Sequence, residues 1–246
     1  MGQTDSGYKN LVDIHCHVLP GIDDGPSDWQ QSIEMAKAAA GSGISTIVTT
    51  PHWIQGTSWQ PSTSTVLEKL DQLNEIIKKE GIALQILSGM EIGISENLVD
   101  LLTSGRVLTL ANSKYVLIEI PYISLPFGLE EIVFEIISAG YIPILAHPER
   151  NKELHSNPKR ILDLLERGAL TQITTGSLCG DWGDGAKRCS TEFARMDAIF
   201  SVASDGHSAI SRPPDMVSGL EVLEDLVGRK KVLEILSNSE KIIMKN

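Results

Sequence analysis

The chain has 246 residues, of which 41% are hydrophobic and 22% are charged, and its formal net charge is −11. This composition is typical of a globular protein, and one domain over residues 1–246 is the simplest expectation. The acidic charge argues against a nucleic-acid or membrane-surface binder, which would present a basic patch. Three cysteines without a Cys-x-x-Cys pair do not indicate a disulfide framework. We expect a cytoplasmic protein, since residues 1–10 lack the apolar segment of a signal peptide and no apolar run reaches the ~20 residues of a membrane span.

Short apolar strands alternate with helices along the chain. The expected strands cover residues 11–16, 44–50, 82–90, 115–120, 141–146, 170–174 and 199–203. The expected helices cover residues 27–43, 65–80, 96–104, 129–139, 159–167, 185–197, 214–227 and 230–236. This alternation is typical of a parallel sheet with right-handed crossovers, and about seven repeats suggest closure into a barrel.

The first expected strand runs into the segment Asp13-Ile14-His15-Cys16-His17. Side chains at i and i+2 of a strand point the same way, so His15 and His17 project together while Cys16 points away. Two imidazoles directed at one point suit a metal such as Zn, Mn or Fe. The alternative is that one histidine packs in the core and the other caps a turn.

Five of the six histidines lie at or just after the C-terminal end of an expected strand, and three acidic residues share this position. The residues are His15, His17, His52, Glu91, Glu119, His147, Asp205 and His207. In a parallel barrel all strand C-termini open on one face, where active sites are built. The alternative is a set of unrelated capping histidines, which would not select strand ends so consistently. The sixth histidine, His155, is expected at the surface.

These groups are too many for one ion, because a zinc site uses four ligands. They suit two or three ions, and multi-metal sites favour phosphoester chemistry. Arg150 and Arg212 follow ligand positions on the same face. The planar guanidinium group fits phosphate oxygens, although each arginine alone could equally form a surface salt bridge.

A thiol-based phosphatase is the competing interpretation, since Cys189 and Arg195 form a Cys-x5-Arg match. A phosphate cradle needs exposed backbone N–H groups, usually with glycines, at a helix N-terminus. The segment between these two residues has no glycine and lies inside an expected helix. We therefore expect no thiolate nucleophile there.

The motifs at the strand ends resemble the PHP (polymerase and histidinol phosphatase) superfamily. Within it they most resemble the bacterial metal-dependent protein-tyrosine phosphatases of capsule and exopolysaccharide loci, the CpsB/CapC/YwqE type. The resemblance extends over residues 11–212, and its most specific segments are DIHCHVLPGIDDG and AHPER. The matching segments are residues 13–25, 50–52, 89–91, 117–119, 146–150, 175–178 and 203–207.

The resemblance implies an α/β fold, a distorted (β/α)7 TIM-like barrel, with three metal ions. Mn²⁺ is the expected metal, with Fe, Zn or Mg as alternatives. The implied ligands are His15, His17, Glu91 and Asp205 for one ion; Glu91, Glu119 and His147 for a second; and Asp24, His52 and His207 for a third. Asp24 is chosen by the family spacing, and Asp23 is the alternative. Arg150 and Arg212 match phosphate-contacting arginines, and Asp205 and His207 are also expected to act in catalysis.

The implied activity is hydrolysis of phosphotyrosine by metal-activated water, without a phosphoenzyme. The implied partner is an autophosphorylated bacterial tyrosine kinase that controls capsule or exopolysaccharide synthesis. A phosphoesterase for a small metabolite such as histidinol phosphate is the alternative, and a non-catalytic barrel is a third hypothesis. Two departures from the family pattern are the loop 54–59, which leaves substrate preference open, and Thr175, where we expect Asn.

Overall fold

The computed structural model describes residues 7–244. The expected absence of a signal peptide concerns residues 1–10. Of these, residues 1–6 lie outside the described residues. Within them, no helix combines the length and the apolar character that crossing a bilayer requires.

The centre of the molecule is a set of parallel strands. They are β1 Leu11–Cys16, β2 Ile44–Thr49, β3 His52–Trp53, β4 Gln85–Leu87, β5 Glu91–Gly93, β6 Tyr115–Glu119, β7 Ile142–Ala146, β8 Leu170–Thr174 and β9 Ser201–Ala203. They pair in the orders β1-β2-β4 and β3-β5-β6-β7-β8-β9. Because β3 continues β2 and β5 continues β4 after short breaks, these segments occupy seven strand positions, as expected for a (β/α)7 barrel.

The barrel closes between its first and last strands. The Asp205 N–H donates to the His15 carbonyl over 2.8 Å, and the His17 N–H donates to the Gly206 carbonyl over 2.8 Å. A parallel bridge between Cys16 and Gly206 accompanies them. The first and last strands therefore meet at the C-terminal edge of the barrel, where His15 lies in β1 and His17 directly after it.

Helices surround the strands. They are α1 Trp29–Gly41, α2 Thr63–Lys79, α3 Leu98–Thr103, α4 Leu129–Ser138, α5 Lys152–Ser156, α6 Arg160–Glu166, α7 Thr175–Cys179, α8 Gly183–Arg195, α9 Val217–Val227 and α10 Arg229–Ile243, with 3₁₀ turns at Leu110–Asn112 and Pro148–Arg150. In α1, for example, Asp28 caps the N-terminus by accepting from the Gln31 N–H. Its Met35, Ala36 and Ala39 are buried at helical spacing against the barrel.

Three sequence expectations differ from the structure. The expected strand 82–90 is shorter and divided, since β4 ends at Leu87 and β5 begins only at Glu91. A break falls at Gly89, where an added Cβ would lie 2.8 Å from Val48 Cγ1 and where the chain therefore passes very close to β2. The short helices α5 and α7 were not expected, and α10 is longer than the expected 230–236.

The core has two parts. The larger lies between the strands and the surrounding helices. The smaller contains Val12, Leu117, Ile144 and Ala203, which come from β1, β6, β7 and β9. Non-neighbouring strands can share such a cluster only inside the barrel, so apolar side chains fill the barrel below its polar C-terminal end.

Candidate metal centre

The nine predicted ligands come together at the C-terminal end of the barrel. Their N and O atoms form four overlapping groups, in each of which the atoms lie within 4.8 Å of one another. The groups are His15, His17 and Glu91; His15, His147 and Asp205; His52, Glu91 and Glu119; and His17, Asp24, His52 and His207. His52, rather than His147, thus groups with Glu91 and Glu119, although His147 Nε2 also lies 2.8 Å from Glu91 Oε1. The binding of metal by these residues, and their allocation to particular ions, stays a prediction.

Two histidines are oriented by partners on their outer nitrogens. The Nδ1 of His15 pairs with Gln172 Oε1 at 2.7 Å, and the Nδ1 of His17 pairs with Asp23 Oδ2 at 2.8 Å. When Nδ1 donates in this way, Nε2 keeps its lone pair and can bind a metal. The two Nε2 atoms lie 3.2 Å apart and face the Glu91 carboxylate.

Asp23 and Asp24 have different surroundings. Asp23 Oδ2 also accepts from the His52 N–H, and Asp23 Oδ1 accepts from the Gly25 N–H. Asp24 Oδ1 instead lies 3.2 Å from His207 Nε2 and 3.4 Å from His52 Nε2. The geometry therefore favours Asp24 as the candidate ligand and gives Asp23 the role of orienting His17.

Several buried polar atoms at the centre have no hydrogen-bond partner in the described part of the chain. They include His52 Nδ1, His207 Nε2 and Glu91 Oε2. Glu91 Oε2 is nevertheless only 3.0 Å from His52 Nδ1 and 3.3 Å from the Nε2 atoms of His15 and His17. Buried polar groups are normally paired, so lone pairs that converge without bonding fit a shared cation.

The electrostatics of the centre reflect crowded ionisable groups. Burial would raise the pKa of Glu91, but the charges of His15 and His52 hold it well below its usual value. Burial and the neighbouring Glu91 charge raise the pKa of Glu119 to about 7. Burial and the Arg150 charge lower the pKa of His147 to about 4, so its imidazole is neutral near pH 7, as a metal ligand must be.

Asp205 connects the ligand groups with both predicted arginines. Its Oδ1 lies 3.4 Å from His15 Nε2. Its Oδ2 accepts from Arg212 Nη2 at 2.6 Å and lies 2.7 Å from Arg150 Nη1. Burial would raise the pKa of Asp205, but the charges of His15 and Arg150 hold it far below its usual value. Arg150 is buried and also donates to Thr174 Oγ1 over 2.8 Å, whereas Arg212 is half-buried. The two guanidinium groups therefore lie directly beside the ligand cluster.

The family model for CpsB/CapC capsular polysaccharide synthesis proteins matches residues 11–245. The chain belongs to this family. Tyrosine-protein phosphatase YwqE of Bacillus subtilis is 40% identical over 233 residues, which cover 95% of this chain and 91% of YwqE. Putative tyrosine-protein phosphatase CapC of Staphylococcus aureus is 36% identical over 205 residues, which cover 82% and 79% of the two chains. Tyrosine-protein phosphatase CpsB of Streptococcus pneumoniae is 32% identical over 244 residues, which cover 95% and 98%.

Solved structures give the same family and fold. A chain from the crystal structures of YwqE and CpsB, described as unique metal-dependent tyrosine phosphatases, matches with a TM-score of 0.91 at 40% identity over 95% of this chain and 94% of its own. Histidinol phosphate phosphatase from Lactococcus lactis matches with a TM-score of 0.60 at 14% identity over 91% and 94%. This second match shows the fold alone. The expected family and the distorted (β/α)7 barrel are confirmed.

Two of this CpsB/CapC family member's candidate ligands have unusual backbones. His147 and Asp205 have φ values of 32° and 52°, in the left-handed region that non-glycine residues rarely adopt. Both follow a strand directly or closely, so this turn directs their side chains over the barrel mouth. Such conformations persist where the surroundings enforce them, and they are concentrated at functional sites.

Aromatic side chains surround the cluster. Trp59, from the loop that departs from the family pattern, stacks on His52 at 4.9 Å between ring centroids. Tyr122 lies nearly parallel to His147 at 5.9 Å. Neither aromatic was singled out by the sequence, because such loop contacts depend on the closed barrel. Two of the candidate ligands, His52 and His147, are therefore each covered by an aromatic ring.

The thiols are poorly placed for nucleophilic attack. Cys16 is buried on the side of β1 away from the histidines, and burial raises its pKa well above the usual value. Cys189 is buried in α8, where burial and Glu149 raise its pKa to about 12, while Arg195 is exposed and pairs with Glu192. The Cys-x5-Arg match thus forms no phosphate cradle. His155 differs from its expected surface position, because it is half-buried and its Nε2 bonds to the Glu149 carbonyl at 2.8 Å.

Proposed function

We propose that this protein is a metal-dependent protein-tyrosine phosphatase. The observation that carries the proposal is Asp205, whose two carboxylate oxygens join a histidine-rich ligand cluster to a pair of arginines. This arrangement combines candidate metal ligands with positive charge for a phosphate group. The relatives YwqE and CpsB are named as tyrosine phosphatases and support the same activity.

The donor set fits divalent transition metals. It consists of imidazole nitrogens and carboxylate oxygens from the four ligand groups described above, with unpaired buried atoms directed between them. Imidazole and carboxylate ligands without thiolates suit Mn²⁺, with Fe, Zn or Mg as alternatives, and the number of ligands suits three ions. Such ions, when bound, lower the pKa of a water molecule and neutralise phosphate oxygens.

The side chains of the chain itself supply binding and orientation. Arg150 and Arg212 offer guanidinium groups that bind phosphate oxygens in a planar geometry. Asp205 holds both groups close to the cluster before substrate arrives. The Nδ1 of His207 pairs with the Asp205 carbonyl at 3.0 Å, which fixes its tautomer and leaves Nε2 directed at Asp24. A phosphate at this position would thus meet groups already aligned, and this reduces the entropic cost of the reaction.

The physiological substrate that we propose is an autophosphorylated tyrosine kinase of capsule or exopolysaccharide synthesis. The support is the family, which is described by its role in capsular polysaccharide synthesis. Such a substrate places the enzyme in the cytoplasm, and we propose that residues 1–246 act as one phosphatase domain. The alternative substrate, which the experiment must exclude, is a small phosphorylated metabolite such as histidinol phosphate.

The deciding experiment measures hydrolysis of a phosphotyrosine peptide and of histidinol phosphate by the purified protein. We expect a chelator to abolish peptide hydrolysis and added Mn²⁺ to restore it, with the peptide strongly preferred. Cys189→Ser serves as a control and should retain activity, because the thiol is buried in α8 and bonds to the Leu154 carbonyl, which a serine hydroxyl can also do. Activity that survives complete metal removal would refute the metal dependence, and a preference for histidinol phosphate would refute the protein substrate.

A further inference from the structure

The ring of Trp182 stacks against the guanidinium groups of both Arg150 and Arg212. It lies just before α8, whose first residue is Gly183. The Cζ atom of Arg150 lies 3.6 Å from the centroid of the Trp182 ring, and the Cζ atom of Arg212 lies 4.8 Å from it. One indole thus contacts both guanidinium groups that bind Oδ2 of Asp205.

We propose that Trp182 is a positioning residue that holds Arg150 and Arg212 together for phosphate binding. This inference rests on the proposed function. Two guanidinium groups repel each other, yet both are paired with the same carboxylate oxygen, Asp205 Oδ2. The negative face of an indole ring attracts each cation and restricts its orientation to a stack. Arginines fixed in this way lose less conformational entropy when a phosphate binds.

The side chain of Arg212 is less restrained than that of Arg150. Its side chain is 31% exposed, compared with 4% for Arg150. Arg212 and Trp182 also border an open cavity of about 530 Å³, which gives the Arg212 side chain room to move away from Asp205. Arg150 also donates to Thr174 on β8, whereas both side-chain hydrogen bonds of Arg212 go to Asp205, one to Oδ2 and one to the backbone carbonyl at 3.0 Å. The ring of Trp182 is therefore the contact that couples the less restrained arginine to the more restrained one.

Trp182 packs against α7, and the helix that follows it is held by a separate contact with His155. A Cβ added at Gly176 would be in van der Waals contact with Trp182 Nε1 at 3.5 Å, so the indole lies directly beside α7. Within α8, Gly185 lies so close to the His155 ring that an added Cβ would clash with it. His155 in turn bonds to the carbonyl of Glu149, the residue before Arg150. These contacts fix the start of α8 against the turn that carries Arg150.

The test compares Trp182→Leu, which removes the aromatic face, with Trp182→Phe, which keeps a smaller one. Trp182 is 37% exposed, so neither variant should unfold the protein. In the metal-loaded protein, we expect Leu to weaken binding of inorganic phosphate by about tenfold, measured by calorimetry, with a similar fall in kcat/KM. The Phe variant should lose no more than about threefold, because a phenyl face still attracts cations. Metal content should stay unchanged in both.

A second comparison separates positioning from direct contact with the peptide. In a background with Arg150→Lys and Arg212→Lys, Trp182→Leu should have little further effect on kcat/KM, because lysine does not stack as a planar fork. Phe134→Leu, at an exposed aromatic on α4, is the matched control and should change nothing.

Wild-type phosphate affinity in Trp182→Leu would overturn the inference. So would a Trp182→Leu variant that loses metal, or one whose fall in kcat/KM is just as large in the background with both lysines. A wild-type protein that binds phosphate but does not hydrolyse phosphotyrosine would instead refute the proposed function. The phosphate-binding comparison would still test Trp182 in that case.

Discussion

At the residue scale, the histidines and acids of the site could be predicted because parallel strands end on one face. His15 and His17 are separated by one residue, and a single strand is enough to bring their side chains together. Gln172 could not be recognised in the same way, because its contact with His15 joins residues 157 positions apart. Within the expected strand it is one of three polar residues, and only the closed barrel shows which side chain it contacts. Trp182 belongs to this second class as well, since its contacts with Arg150 and Arg212 also join residues far apart in the sequence.

Gln172 provides a prediction about metal affinity. Gln172→Leu removes the oxygen that accepts from His15 Nδ1, so the imidazole loses its fixed tautomer and orientation. We expect metal affinity to fall by about 10- to 100-fold, measured by calorimetry with Mn²⁺, since partners of metal-binding histidines have effects of this size. The protein should remain folded, because leucine has a similar volume and the Gln172 Nε2 atom has no partner among the described residues.

Gln172→Glu is the matched control, since it keeps an acceptor at the same position. It should bind Mn²⁺ at least as tightly as Gln172→Leu and close to wild type. Equal, wild-type affinity in both variants would show that His15 is oriented without Gln172.

At the element scale, the strands were predictable and some short helices were not. Five of the six residues of β2 are β-branched, and such residues have strong strand propensity. Helix α7 has the sequence TGSLC, in which Thr, Gly and Ser are weak helix formers. Its stability comes from tertiary contacts instead. Thr175, which stands where the family pattern led us to expect Asn, bonds through Oγ1 to the Asp215 carbonyl at 2.8 Å.

Gly219 makes the close packing of α7 against α9 possible. A Cβ added there would lie 2.5 Å from Thr175 Cβ and 2.7 Å from its Cα and carbonyl oxygen, all closer than real Cβ contacts allow. We expect Gly219→Ala to lower the free energy of unfolding by about 1–3 kcal/mol, because the backbones must separate. Denaturant unfolding followed by circular dichroism measures this change.

The control is Gly41→Ala at the end of α1, where an added Cβ meets nothing within 4 Å. Alanine has the higher helix propensity, so this variant should be as stable as wild type or slightly more stable. If Gly219→Ala left the free energy of unfolding equally unchanged, the close contact between α9 and α7, the helix that directly follows β8, would be refuted.

At the scale of the whole molecule, the charge of −11 opposes binding of a phosphate group. Attraction must therefore come from local positive charge, and Arg150, Arg212 and bound cations are the groups that can supply it. Tyr8, three residues before β1, meets the last two helices on the outside of the barrel. Tyr8 Oη donates to Glu224 Oε2 at 2.5 Å, and Arg229 both pairs with Glu224 and lies 3.9 Å over the Tyr8 ring.

This contact predicts a pH dependence of stability. Burial and the Glu224 hydrogen bond raise the pKa of Tyr8 from 10.0 to about 12. As pH rises above 10, the unfolded chain loses the Tyr8 proton before the folded protein does, so the free energy of unfolding falls between about pH 10 and 12. The loss should be well below the full ~1.4 kcal/mol per pKa unit of a buried group, because solvent screens the neighbouring charges. In Tyr8→Phe this component is absent, so the difference in stability between variant and wild type should shrink over this pH range in denaturant titrations. A difference that stays constant from pH 9 to pH 12 would show that the Tyr8 hydroxyl does not link the start of the barrel to α9.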